Sequence, residues 1–267
     1  MTRPVIALAM LCGVAAWGQD SASISQKAGA GDGSLHFGRQ PGFSSVIAGA
    51  PYSAEMVAEN VQTLADGTHI TRTMEPIKVY RDSYGRTRQE RHSQGADLRV
   101  AADKRASGQP LFIEITDPVA HIRYILDPQT KVAHRQKLAE VVHPLTAKRG
   151  RAPGSERAPH KGNGIKAETE KLEPQIIEGV LAEGTRRTFT WPEGSVGNDR
   201  TMTSVTETWR SPELQVRLLI KTSDPRLGEH TDRLINLNRS EPDPSLFVPP
   251  PDYTVVDEKG EFTVKWR

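Results

Sequence analysis

A single large antiparallel β-sheet of about ten strands, with at most one or two short helices, is the mainly β fold class this sequence predicts. Three observations carry it. Apolar residues recur with a period of two, most plainly at Leu214, Val216, Leu218 and Ile220, as in a strand with one buried face. Turn signals punctuate the chain at Asp66-Gly67, at residues 82–85 (DSYG), at Asp117-Pro118, at Asp127-Pro128 and at residues 224–228 (DPRLG). Helix caps and a sustained 3.6-residue period are missing, apart from residues 54–64 (AEMVAENVQTL), which also admit a helix packed on the concave face of the sheet.

Residues 1–18 read as a cleavable signal peptide. Residues 1–3 (MTR) are positive, and residues 4–17 (PVIALAMLCGVAAW) are apolar. Ala16 and Gly18 supply small residues before a cleavage point near Gly18–Gln19. This predicts a periplasmic or secreted protein. The run is too short to span a bilayer well and no later stretch approaches ~18 apolar residues, so no transmembrane span is expected in the mature chain. The single cysteine, Cys12, lies inside this segment, and Leu11 before it is too large for a lipidation signal. Cleavage would leave no thiol, and with it no disulfide, thiolate catalysis or cysteine metal site.

Residues 19–50, rich in Ser, Gly, Ala and Asp, read as a flexible leader with an ordered patch around Phe37 and Phe43. Within them GAGDGS (29–34) lacks the strand, lysine and helix of a phosphate loop. One β-rich domain is expected over residues 51–256. A two-residue turn at Asp66-Gly67 would set Met56 opposite Ile77, Glu59 opposite Met74 and Val61 opposite Arg72. Residues 86–92 form a charged strand, and residues 111–116 (LFIEIT) place Leu111, Ile113 and Ile115 on one face. A hairpin of residues 120–126 and 131–138 would set Arg123 against His134, with His121 on the diagonal.

Residues 140–173 read as a long exposed basic loop, whose glutamates and lack of aromatics argue against nucleic acid. Strands follow at residues 176–182, 185–191, 203–210, 214–220 and 231–239. Pro242, Pro244, Pro249, Pro250 and Pro251 prevent further pairing until residues 252–255. Trp191, Trp209, Phe247 and Tyr253 read as core or rim, with Phe247 and Tyr253 clasping the last strand. Residues 257–267 read as a tail.

The formal net charge of +2 gives no global electrostatic case for nucleic acid or an anionic membrane. No HExxH, GxSxG or Walker lysine loop is present. His121 and His134, with Glu114 nearby, are weak metal candidates, since zinc needs three or four ligands; no cofactor is expected. Glu59, Glu114, Glu178 and Glu207 lack the aromatic platforms that glycoside chemistry uses, and a hydrolase ranks third among the functions considered.

Three pieces resemble the periplasmic lipoprotein-carrier and lipoprotein-sorting superfamily, whose fold is an open curled sheet. They are VYRDSYGRTRQE (79–90), the YILDP hairpin (124–128), and DPRLGEHTDRLINL (224–237) with PDPSLF (242–247) and PDY (251–253). The segments SPELQV, SDPR and EPDPSLF are also similar to uncharacterised secreted bacterial proteins. The superfamily likeness implies an open half-barrel whose apolar concavity holds an acyl chain, lipid or lipoprotein, and it carries over no individual residue. By their place on the strands, Ile113, Ile115, Leu214, Val216, Leu218 and Ile220 are candidate lining residues or plain core. The alternative is an envelope interaction, assembly or stress-sensing protein with no small ligand, engaging a partner through the basic loop or a sheet edge. Both readings are non-enzymatic.

Overall fold

The computed structural model describes residues 24–26, 33–38, 46–92, 109–138 and 164–266. The expected signal segment with Cys12, Phe43 and residues 140–163 of the expected basic loop lie outside them. The chain is mainly β. Its strands are β1 (Ile24–Gln26), β2 (Gly33–Phe37), β3 (Tyr52–Thr63), β4 (His69–Thr73), β5 (Ile77–Arg81), β6 (Thr87–Arg91), β7 (Phe112–Asp117), β8 (Ile122–Asp127), β9 (Val132–Lys137), β10 (Lys166–Ile177), β11 (Val180–Trp191), β12 (Met202–Ser211), β13 (Val216–Asp224), β14 (Gly228–Asn238), β15 (Thr254–Glu258) and β16 (Phe262–Trp266). The described helix is one 3-10 turn, Pro244–Phe247, capped by the Asp243 carboxylate accepting from Ser245 N.

Thirteen strands form one open sheet in the order β10-β11-β12-β13-β14-β3-β5-β6-β7-β8-β9-β15, with β4 beside β3. All pairs in it are antiparallel except β15 on β9, which is parallel. A small sheet, β1-β2-β16, joins the two ends of the chain. The segment that admitted a helix is the strand β3. Its buried Tyr52, Ala54 and Met56 alternate with less buried neighbours, and β14 pairs along one edge while β5 and β4 share the other. Pairing on both edges overrides the local preference.

Two registers differ from the expected ones. Met56 does face Ile77, but Glu59 faces Thr73 and Val61 faces Thr71. The turn has three residues rather than two: Leu64 N donates to Thr68 O, Asp66 Oδ1 accepts from Thr68 N, and Gly67 takes a positive φ of 85°. The link between β4 and β5, whose Pro76 has no N–H, absorbs the slip. In the second hairpin His134 faces Ile125 and Arg123 faces Gln136. Asp127 stays in β8 because its carboxylate caps the turn, accepting from Gln129 N at 2.9 Å and Thr130 Oγ1 at 2.8 Å.

The extents of leader, loop and tail also change. Residues 33–37 are a strand with Phe37 fully buried, residues 166–173 of the expected basic loop belong to β10, and the expected tail contains β16. Strand partners more than 200 residues away hold both termini, and no local signal reveals such pairing.

Candidate ligand-binding face

Paired residues on neighbouring strands share a face, so the registers sort the candidate lining residues. Ile220 pairs with Asp232 and Asp232 with Ala58; Met56, two residues from Ala58, pairs with Ile77. Val79 pairs with Gln89, and Gln89 with Glu114. Ile220 therefore shares a face with Glu114, and Ile113 and Ile115 lie on the other one.

The first face carries the largest apolar cluster. Tyr52, Ala54 and Met56 of β3, Ile77 and Val79 of β5, Val180 and Ala182 of β11, Trp209 of β12, Val216 and Leu218 of β13 and Leu234 of β14 are all buried together. Leu214, from the β12–β13 turn, and Ile47 and Ala50, from the segment before β3, complete it. A bulge between Trp209 and Arg210 brings Trp209 inward. Its ring lies over Gly184, where a Cβ would meet it at 2.5 Å.

Arg81 shows that this face is concave. It stands on β5, three strands from β13, a span of about 14 Å on a flat sheet. Yet its Nη2 donates to Leu214 O, and its Nε donates to Ala50 O at 2.9 Å. The sheet therefore curls around this side chain. Arg81 is 4% exposed, and its guanidinium lies 4.8 Å from the Tyr52 ring. Burial pushes the Arg81 guanidinium below its usual range, and the same burial raises the Tyr52 phenol.

The segment 46–50 docks through the turn between β5 and β6. Asp82, 1% exposed, accepts from Tyr84 N and Arg86 N, and its Oδ2 takes Arg86 Nε at 2.6 Å. Gly49 N donates to Ser83 O at 2.9 Å. Gly85 has a φ of 81°, and a Cβ there would stand 2.9 Å from Ile47 O. Glycine answers both demands, the backbone conformation and the close approach.

The opposite face, across β6–β9, is covered by the proline-rich segment after β14. Ile113, Ile115, Leu126 and Ala133 bury Phe247, with Tyr80, Tyr124, Leu246 and Tyr253 packed around them. Arg88 Nη1 donates to Leu246 O at 3.0 Å and fixes that segment. The structure thus brings Leu214, Val216 and Leu218 into one cluster and places Ile220 on the same sheet face. Ile113 and Ile115 stand apart from them, in the core under Phe247.

The metal candidates do not meet. His121 occupies a turn at φ 55°, while His134 stacks on Phe262 at 4.7 Å and bonds Glu258 at 2.8 Å. Glu114 accepts from Arg123. Among the described residues no group of three or more His, Cys, Asp or Glu side chains is arranged for a metal ion.

Arg81 and Arg123 are what residue-by-residue reading missed. Their signal was the alternation itself: IKVYR sets Arg81 in phase with Ile77 and Val79, and IRYIL sets Arg123 in phase with Ile125.

Against known proteins, no family model and no curated protein matches this chain. Solved structures do. An uncharacterised conserved protein from Thermus thermophilus is 10% identical at TM-score 0.38, covering 78% of this chain and 91% of that one. The chain is also similar to a LolA superfamily protein from Nitrosomonas europaea, at 9% identity and TM-score 0.30, over 76% and 92% of the two chains. A putative outer membrane lipoprotein-sorting protein domain from Vibrio parahaemolyticus is 11% identical at TM-score 0.26, over 74% and 89%.

Proposed function

We propose that this protein is an exported binding protein that holds an apolar group, an acyl chain or the lipid part of a lipoprotein, on the concave face of its sheet. One observation carries the reading. An apolar face drawn from six strands of the sheet is completed, from outside those strands, by Ile47, Ala50 and Leu214. Among the described residues no second layer of regular structure contributes to that cluster. The cover is tied to the sheet by the Arg81 hydrogen bonds to the Ala50 and Leu214 carbonyls and by Gly49 N to Ser83 O. Separating segment 46–50 from the β12–β13 turn breaks few bonds and bares Leu214, Val216, Leu218 and Met56 to an entering chain. No step in this function requires catalysis.

Native mass spectrometry of protein purified from a cell envelope tests it, together with titration by a fluorescent fatty acid. The expected result is an acyl-containing adduct and saturable binding. Protein that arrives ligand-free and leaves the probe unbound removes the reading.

A second reading rests on β10, the terminal strand of the large sheet, which pairs on one side only among the described residues. Its Ile176 is 68% exposed beside Leu181 at 52%, while Lys166, Glu168, Glu170 and Lys171 guard the rest of the strand. A partner strand from an envelope protein could add there. Capture of a partner that Ile176→Lys abolishes, without loss of fatty-acid binding, would favour this second role.

A further inference from the structure

The concave face changes character at β6. Val79, in the apolar cluster, pairs with Gln89, and beyond it the same face carries Gln89 and Arg91 of β6, Glu114 of β7, Arg123 of β8 and Gln136 of β9. Arg123 is 0% exposed. Its Nε donates to Glu114 Oε1 at 2.7 Å and its Nη1 to Gln136 Oε1 at 3.3 Å, but Nη2 is buried with no hydrogen-bond partner among the described residues. Arg91 Nη2 donates to Gln89 Oε1 at 2.7 Å, and the Arg91 Nε atom is likewise buried without a partner among the described residues.

Two guanidinium groups thus face one carboxylate, Glu114, which attracts Arg91 while Arg123 repels it. Burial pushes the Arg91 guanidinium below its usual range. Phe37 lies 5.5 Å from the Arg123 guanidinium and offsets part of the cost through its ring face, but a ring supplies no acceptor for two N–H groups and no negative charge. Arg123 is wholly buried and Arg91 half-buried, and a positive excess with buried, unused donors is costly unless an anion completes it.

We propose that Arg91 and Arg123 form an oxyanion site that binds a carboxylate or a phosphate. Arg91 Nε and Arg123 Nη2 are the donors, and Glu114 orients Arg123 from the far side. Because the site adjoins the apolar cluster across the Val79–Gln89 pair, an amphiphile could lay its chain on β3 and β5 with its anionic head at β6–β8. This extension rests on the proposed apolar binding; the oxyanion site itself does not.

Binding is measured by calorimetry on the full chain with dodecanoate, dodecanol and inorganic phosphate as separate probes, for wild type and Arg91→Gln. Arg91 is the variant of choice because Arg123 is wholly enclosed, and an unchanged circular dichroism spectrum and melting profile confirm that Arg91→Gln folds. The proposal predicts that dodecanoate binds at least about tenfold more tightly than dodecanol, and that Arg91→Gln erases the difference, since a hydrogen bond to a charged group is worth that much or more. Phosphate binding that Arg91→Gln abolishes shows a site for free oxyanions. Dodecanoate preference without phosphate binding shows a head-group site. Equal binding of dodecanoate and dodecanol without phosphate binding, in both proteins, overturns the oxyanion site and leaves apolar binding standing. No binding of any probe overturns both.

Discussion

Gly184 is the residue where sequence and packing meet most tightly. Its position in β11 gives no turn or left-handed conformation to explain a glycine; what explains it is the Trp209 ring, which occupies the space of a Cβ. Gly184→Ala is expected to destabilise the fold by about 1–3 kcal/mol through overpacking. Pairing it with Trp209→Leu should recover part of that loss, measured by thermal or urea unfolding of the single and double variants. Additive losses would show that the ring and the glycine do not compete. At this scale the sequence was legible wherever alternation was: Val216 and Leu218 are buried on one face of β13, and Leu214 joins them from the turn before it rather than from the expected strand. Buried arginines were equally in phase, yet a charged residue on an apolar face is ordinarily discounted. Only the curl of the sheet, which brings Leu214 O within reach of Arg81, supplies the reason to bury one.

The turns and the terminal clasp set the elements. Between β13 and β14, Asp224 is 6% exposed and holds Arg226 three ways: Oδ1 accepts from the Arg226 N at 2.8 Å and from Nε at 3.0 Å, and Oδ2 from Nη2 at 2.7 Å. The Arg226 side chain, the first of these influences, holds the Asp224 carboxyl below the usual carboxylate range. A depressed folded-state pKa contributes stability that is present above the unfolded value of about 4 and is lost as pH falls through the folded value. Asp224→Asn should therefore melt lower than wild type at pH 7, with the gap narrowing below about pH 4; a gap that stays constant down to about pH 2 refutes that origin. The clasp is larger. Phe247 is 1% exposed over Ile113, Ile115, Leu126 and Ala133, and Phe247→Ala should cost about 3–5 kcal/mol in unfolding experiments. The clasp was readable because five prolines ended the pairing around an aromatic residue. The three-residue turn after β3 was not, since Asp-Gly serves two- and three-residue loops alike and only the partner strand decides between them.

For the molecule as a whole, one curled sheet uses its two faces differently. One face is sealed across β6–β9 by Phe247 and the proline-rich segment; the other is sealed across β7–β9 by the small sheet with Phe37, Phe112 and Phe262, and across β3, β5 and β11–β14 by little more than residues 46–50. This division was invisible in the sequence, because it depends on pairing between residues 33–37 and 262–266, across nearly the full chain. The antiparallel sheet itself was visible, since each hairpin is a local event. The unequal sealing is the central claim, and methyl NMR tests it most directly. Protein with isotope-labelled Ile, Leu and Val methyl groups is titrated with dodecanol. Binding on the concave face shifts the methyl signals of Leu214, Val216, Leu218 and Leu234 and leaves those of Ile113, Ile115 and Leu126 in place. Shifts confined to Ile113, Ile115 and Leu126, or no shift in either set, would contradict it.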